Sequence, residues 1–297
     1  MRMPMKRIVP WIAICVGVCG AYVGACKSSA SPNAAPSASA SVPNSPFGIP
    51  IASASVQALT NPDSLPPYSG PSGAVEGTIR ISGDEAPDQD LKLSRDCASA
   101  ATVYQKLFRE GPGRTAADVM VAVTGYDGYV PAKGDAIRVD MRDCTYDRRT
   151  VVATFGQRID VVNRDKSRSY VPFLLGDNAQ AHMVAVQGGD PVRLYPTKIG
   201  RYLLSDEMNR PWMQAPVFVL KFSTHAVTGL DGHYRIEGIP VGPVKINAFL
   251  PSIDVVAARE LKIEAGKTAV LDMELNYKKP PPAAASSSSR PKLPEVR

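Results

Sequence analysis

Short runs of alternating apolar and polar residues, each ended by a turn signal, cover most of the middle of the chain. Residues 74–81 begin the pattern, with their aliphatic side chains on one face, as expected for a half-buried strand. Further strands are predicted at residues 119–124, 136–140, 149–154, 156–163, 201–204, 217–222, 244–249, 258–264 and 270–275. Residues 100–108 favour a short helix. The sequence therefore predicts an all-β protein built of antiparallel β-sandwiches.

Both ends of the chain lack this pattern. Residues 1–25 read as an export signal, with Arg2, Lys6 and Arg7 before an apolar run. Residues 26–72 consist largely of Ser, Ala, Pro and Asn, a composition that cannot offset the entropy of ordering, so we expect a disordered tether. Residues 278–297 have a similar composition, and a disordered tail is expected there.

The end of the export signal carries a second feature. Val23, Gly24 and Ala25 before Cys26 resemble a bacterial lipobox. The resemblance implies cleavage before Cys26, lipidation of its thiol and a membrane anchor with multiple acyl chains. Lys27 rather than Asp after the cysteine favours the outer membrane of the bacterial cell envelope. An ordinary cleaved signal and an uncleaved membrane anchor are the alternatives.

The net charge of +6 comes from the two ends of the chain. Without the basic residues of the signal and of the tail, residues 26–277 sum to about −1. No basic stripe with interleaved aromatic residues occurs, which argues against a nucleic-acid partner.

Cys97 and Cys144 are the cysteines within the region of predicted strands. An isolated pair in an exported chain favours a disulfide over a metal site. Two buried free thiols are the alternative.

Residues 199–220 predict a strand, a polar loop and another strand. This frame resembles the loop in which cupredoxins hold a Cys, a His and a Met as copper ligands. Ser205 stands where the Cys is expected and is followed by Asp206, while residues 208–210 hold no His. Trp212 and Met213 complete the loop. The resemblance implies a cupredoxin fold whose ligand loop is degenerate.

Residues 140–146 and 156–165 extend this likeness. They are similar to exported bacterial proteins with a plastocyanin-like domain, in which a His follows the Asn-x-Asp element. In this chain Asp165 is followed by no His before Tyr170. The resemblance implies a cupredoxin-like sandwich over residues 73–223.

Residues 226–246 resemble a carboxypeptidase regulatory-like, or transthyretin-like, module. Asp231 and Gly232 predict a hairpin turn, and Tyr234 and Ile236 alternate with polar residues after it. The resemblance implies a small, non-peptidase β-sandwich over residues 224–277, of a kind that accompanies binding and surface proteins.

Candidate chemistry is sparse. A type-1 copper site needs a thiolate, two imidazoles and a weak axial thioether, and Ser205 cannot replace the thiolate. Met208, Met213 and His182 could form a displaced copper site, but Trp212 and Met213 are more simply interpreted as core. No nucleophile elbow, zinc-protease motif or phosphate-binding loop is present, so an enzyme is not expected.

Together these features predict a non-catalytic, lipid-anchored envelope protein with a binding or scaffolding role and no cofactor. Its partner would be an envelope protein or a glycan. The alternative is a periplasmic copper-binding or electron-transfer protein that uses Met208, Met213 and His182.

Overall fold

The computed structural model describes residues 50–176, 182–208 and 210–281. The predicted export signal, Cys26, much of the predicted tether and most of the predicted tail lie outside these residues and stay predictions. All described residues belong to one compact unit, Ser45–Arg297. Within the described ranges, no helix combines the length and apolar character needed to cross a bilayer.

Strands dominate the described chain. The helices are α1 (Ser53–Thr60) and α2 (Ala98–Tyr104), with a 3-10 turn at Pro112–Arg114. The strands are β1 (Ser72–Gly83), β2 (Met120–Thr124), β3 (Ala136–Arg142), β4 (Thr145–Tyr146), β5 (Val151–Thr154), β6 (Arg158–Asn163), β7 (Pro172–Leu175), β8 (Val192–Leu194), β9 (Gly200–Asp206), β10 (Gln214–Leu220), β11 (His225–Val227), β12 (His233–Pro240), β13 (Gly242–Leu250), β14 (Val255–Ile263), β15 (Thr268–Val270) and β16 (Met273–Tyr277). The all-β fold class is confirmed.

Strands β3 to β10 form a central sandwich of two sheets. One sheet has the order β5-β10-β9-β7 and the other the order β4-β3-β6-β8. Val139, Ile159 and Val161 from one sheet share a buried core with Leu204 and Val217 from the other. The period-2 alternation of these strands brings one face of each sheet into this core.

The remaining strands form a flanking sandwich. In one sheet β1 lies between β12 and β15 and also pairs with β16, and the other sheet has the order β11-β2-β13-β14. β12 illustrates how the sequence produces this arrangement, because Tyr234 and Ile236 point into the core while His233, Arg235 and Glu237 stay exposed. A second buried core lies between the two sheets.

The assignment of β1 and β2 differs from the sequence prediction, which placed both strands in the first sandwich, over residues 73–223. β1 instead pairs antiparallel with β12, and β2 pairs antiparallel with β13. Val75 and Val121 accordingly lie in the core of the flanking sandwich. The central sandwich is therefore inserted into the flanking sandwich, between β2 and β11.

Pairing within the sheets is mixed rather than entirely antiparallel. β3 pairs parallel with β6, and β5 pairs parallel with β10. β1 pairs parallel with both β15 and β16, which replace the single strand predicted over residues 270–275. The predicted helix at residues 100–108 is confirmed as α2, which begins and ends slightly earlier.

The stretch predicted as a disordered tether, residues 26–72, contains α1. Ala, Gln and Leu are good helix formers and account for the helix locally. Ile51 and Val56 pack against the core of the central sandwich, so this end of the stretch is docked rather than free.

Candidate functional site

The predicted ligand loop joins β9 to β10 at one end of the central sandwich. Ser205 and Asp206 belong to β9 itself, where they pair with Phe173 and Pro172 of β7. Ser205 also pairs with Gln214 at the start of β10. The segment predicted as loop is therefore shorter than the sequence indicated, because both residues are held in the sheet.

Ser205 and Asp206 are both buried, but their side chains differ in hydrogen bonding. The hydroxyl of Ser205 has no hydrogen-bond partner among the described residues. The side chain of Asp206 is 0% exposed and accepts hydrogen bonds from the backbone amide of Val171 at 2.7 Å and from Arg210 Nη1 at 2.7 Å. The carboxylate is therefore fully engaged within the protein.

Arg210 occupies the part of the loop where the resemblance to cupredoxins implies a histidine. Its guanidinium carbon lies 4.7 Å from the centre of the Tyr170 ring, a cation–π geometry. Its Nη1 also approaches the carbonyl oxygen of Ser169 at 3.4 Å. A guanidinium thus lies in the middle of the loop, paired with Asp206.

Tyr170 continues the network into the sandwich. Its hydroxyl donates to Asp165 Oδ2 at 2.7 Å and accepts a hydrogen bond from the backbone amide of Cys144 at 3.0 Å. Burial and the hydrogen bond to Asp165 raise the pKa of Tyr170. Burial alone would raise the pKa of Asp165, but hydrogen bonds from Tyr170 and from the amides of Ser167 and Asp143 lower it below the ordinary value. At neutral pH the pair therefore stays as a neutral phenol and a carboxylate.

Aromatic and apolar side chains fill the space beneath the loop. Met213 is 0% exposed and belongs to the core of the central sandwich, and Trp212 donates from Nε1 to the carbonyl oxygen of Cys144 at 3.3 Å. The Tyr146 hydroxyl is buried without a partner among the described residues, and burial raises its pKa. The interpretation of Trp212 and Met213 as core is confirmed.

The three residues of the alternative copper site, Met208, Met213 and His182, differ in their exposure to solvent. Met208 is 46% exposed, whereas Met213 is inaccessible to solvent. His182 is exposed, stacks on the Phe173 ring at 5.0 Å and places Nδ1 at 2.7 Å from Glu207 Oε2. In the described ranges, no group of three or more His, Cys, Asp or Glu side chains is arranged to hold a metal ion.

The donor set of the loop does not fit copper. The position of the thiolate holds Ser205, and a guanidinium occupies the position expected for an imidazole. Arg210 would repel a copper ion, and Asp206 is already committed to Arg210 and Val171. The loop therefore provides a buried ion pair where a copper centre would need soft, uncharged or anionic ligands.

Cys97 and Cys144 form a disulfide with Cα atoms 5.4 Å apart, so that prediction is confirmed. Cys97 directly precedes α2, and Cys144 lies between β3 and β4. The bond ties α2 to the central sandwich. Cys144 is also the residue that Tyr170 and Trp212 contact through its backbone.

Two other histidines lie outside the loop. His225 on β11 places Nε2 at 3.2 Å from Thr154 Oγ1 of β5, a contact between the two sandwiches. Burial lowers the pKa of His225 to about 4, so its ring is neutral at physiological pH. His233 is exposed on β12.

The sequence did not indicate the residues that organise this site, which are Asp165, Tyr170 and Arg210. Arg210 looks like an ordinary loop cation, and its burial depends on the approach of Tyr170 from a distant segment. A usable signal was the pair of acidic residues Asp165, just after β6, and Asp206, the last residue of β9. A buried carboxylate in such a place needs a partner.

No family model and no curated protein sequence matches the chain. Among solved structures, the reduced state of an amicyanin mutant aligns with 33% of this chain and 98% of its own, at 20% identity and a TM-score of 0.26. Amicyanin from Paracoccus versutus aligns with 30% of this chain and 84% of its own, at 20% identity and a TM-score of 0.25. These are weak, partial similarities to a cupredoxin, and TM-scores this low carry no weight for function.

Proposed function

We propose that this chain is a non-catalytic, lipid-anchored protein of the bacterial cell envelope that binds or scaffolds a partner. The central sandwich acts as a copper-free relative of the cupredoxins. The flanking sandwich acts as a carboxypeptidase regulatory-like module.

The observation that carries this proposal is the buried ion pair between Asp206 and Arg210. It lies in the loop where a cupredoxin would hold copper, and Arg210 is stacked on Tyr170. A buried carboxylate and guanidinium that satisfy each other are not themselves available for proton transfer or metal binding. The raised pKa of Tyr170 also argues against acid–base chemistry there at neutral pH.

The anchoring part of the proposal depends on the sequence alone. Val23, Gly24 and Ala25 precede Cys26 in the pattern of a lipobox, and Lys27 follows it. Acylation at Cys26 would hold the folded unit at the outer membrane. The partner would then be another envelope protein or a glycan.

Copper titration tests the proposal against its alternative. We expect the chain produced from residue 27 onward to bind neither Cu(I) nor Cu(II) stoichiometrically, measured by metal analysis after gel filtration. A tight one-to-one complex that is lost in Met208→Ala or His182→Ala would overturn the copper-free assignment. Both side chains are exposed, so these variants should leave the fold intact.

A further inference from the structure

A cavity of about 250 Å³ lies where the two sandwiches meet. Trp212 of the β9–β10 loop and Leu203 of β9 line it from the central sandwich, and Ser252 of the turn after β13 lines it from the flanking sandwich. Engineered protein cavities of about 150 Å³ bind benzene. The cavity is therefore large enough for a small organic molecule.

The charged residues that line the cavity do not balance. They are Arg109, Asp118 and Arg149, one carboxylate against two guanidinium groups. Asp118 accepts hydrogen bonds from Arg109 Nε at 2.7 Å and Arg109 Nη2 at 2.6 Å, and from the backbone amide of Arg149 at 2.8 Å. Asp118 is thus committed to Arg109, and within the described ranges the guanidinium of Arg149 has no such carboxylate partner.

The hydrogen bonds of the Arg149 guanidinium are to backbone carbonyl groups. Its Nη1 donates to the carbonyl oxygen of Lys106 at 2.8 Å, and its Nη2 donates to that of Leu107 at 3.0 Å. These carbonyl groups are neutral. Burial acts to lower the pKa of both arginines, but Asp118 reverses the effect only for Arg109, so the pKa of Arg149 is lowered. The charge of Asp118 and the Tyr104 ring, whose centre lies 5.8 Å from the guanidinium carbon of Arg149, compensate the desolvation only in part. Two guanidinium groups thus share one carboxylate, and an anion in the cavity would balance the remaining positive charge.

The rest of the lining suits the body of an organic ligand. Tyr104, Leu107 and Leu203 provide apolar surface beside the indole of Trp212. An incompletely compensated cation and apolar walls are the features of a pocket that orients a ligand through a few polar contacts.

We propose that this junction cavity binds a small organic monocarboxylate, with its carboxylate against Arg149 and its apolar body against Trp212 and Leu203. A monoanion matches the single unbalanced positive charge, and the apolar walls favour an organic anion over inorganic phosphate. The inference rests on the proposed binding role and deepens it by naming a ligand class.

The test uses the full chain in a neutral detergent, with calorimetric titration of benzoate, benzamide and inorganic phosphate and a detergent-only blank. We expect saturable one-to-one binding of benzoate, with benzamide at least about tenfold weaker because it lacks the charge. Phosphate should bind more weakly than benzoate.

Variants locate the site. Arg149→Met should weaken benzoate binding at least about tenfold and leave the residual benzamide affinity unchanged, which separates loss of charge from loss of fold. Ser252→Leu should weaken both ligands because it fills the cavity. Arg138→Met, at an exposed arginine of the central sandwich, is the matched control and should change neither affinity. Thermal unfolding of each variant checks its fold.

Three results would overturn the inference. The first is no saturable benzoate binding by the folded wild-type chain, and the second is equal affinity for benzoate and benzamide. The third is tighter binding of phosphate than of benzoate. None of these results bears on copper stoichiometry, so failure of this inference and failure of the proposed function can be told apart.

Discussion

The ion pair between Asp206 and Arg210 is the residue-scale feature that most clearly separates this loop from a metal site. Asp206 is inaccessible, and Arg210 is 15% exposed in its side chain. Breaking a buried pair by removal of one partner costs about 3–5 kcal/mol, because the remaining charge stays uncompensated. The pair therefore stabilises the folded loop only while both members are present.

We expect Arg210→Met to lower the free energy of unfolding by about 3 kcal/mol, measured by urea denaturation. Asp206→Asn in the same chain should restore part of the loss, because an amide needs no counter-charge. Arg138→Met breaks an exposed pair with Asp140 and should cost about 1 kcal/mol or less. Equal losses in the two single variants would contradict the buried-pair account.

His225 provides a second residue-scale prediction, which concerns pH. Its pKa falls from the ordinary value of 6.5 to about 4 in the folded state because it is buried. Between these values the unfolded chain binds a proton that the folded chain does not. Stability from a neutral His225 is therefore fully present above pH 6.5 and is lost as the pH falls toward 4.

Comparison with His225→Gln measures this effect. The difference in unfolding free energy between wild type and variant should change by up to roughly 3 kcal/mol between about pH 7 and pH 4, with the wild type losing stability. His233→Gln, at the exposed histidine, controls for loss of an imidazole. A difference that is constant over this range would show that His225 is not buried neutral.

At the residue scale the sequence identified the loop between β9 and β10 but not the side-chain contacts within it. Ser205 was recognised as a departure from a ligand set, and Met213 as core. The partners of Asp206 could not be predicted, because Arg210 reaches Tyr170 only after β7 and β9 have paired. The ion pair between Arg109 and Asp118 was missed as well, because its burial depends on the packing of the two sandwiches around it.

At the scale of elements, local pattern predicted most strands but not their partners. Alternation in residues 74–81 specifies which face of β1 is buried, and that face is the same whatever strand lies beside it. The choice of β12 depends on long-range packing, as the pair Val75 and Ile236 illustrates. The helix α1 was missed because its composition resembles that of the tether that precedes it.

The docking of α1 depends on a glycine at the turn between β5 and β6. Gly156 has a φ of +99°, and a Cβ there would lie 2.6 Å from Val56 Cγ1 of α1. Gly134 has a φ of +80° with no atom within 4 Å of such a Cβ. A side chain would therefore be strained at both positions, but only at Gly156 would it also meet the helix.

We expect Gly134→Ala to cost about 1–2 kcal/mol from strain alone and Gly156→Ala to cost at least about 1 kcal/mol more. Val56→Ala in the Gly156→Ala chain should relieve the excess. Thermal unfolding gives the stabilities, and amide exchange in α1 reports whether the helix has detached. Equal costs at both glycines, with α1 still protected, would contradict the proposed docking.

At the scale of the whole molecule, the two sandwiches are interleaved in sequence. The chain builds β1 and β2, completes the central sandwich, and then returns to build β11 to β16. Arg201 of β9 strengthens the junction, because its guanidinium lies 5.1 Å from the Phe218 ring centre and 5.2 Å from that of Phe249. A cut after residue 223 would therefore separate strands that share one core.

The fragment 50–223 tests this arrangement directly, because it ends where the sequence pattern alone would place a domain boundary. β1 would lose its pairing with β12, β15 and β16, and β2 would lose β11 and β13. The buried faces of both strands, including Val75 and Val121, would then meet water. In fragment 50–223 we expect the amide hydrogens of β1 and β2 to exchange freely, whereas in fragment 50–281 they are protected. Addition of fragment 224–281 should restore their protection, because it returns the missing strands to β1 and β2. Protection of β1 and β2 in fragment 50–223 alone would mean that these strands fold together with the central sandwich.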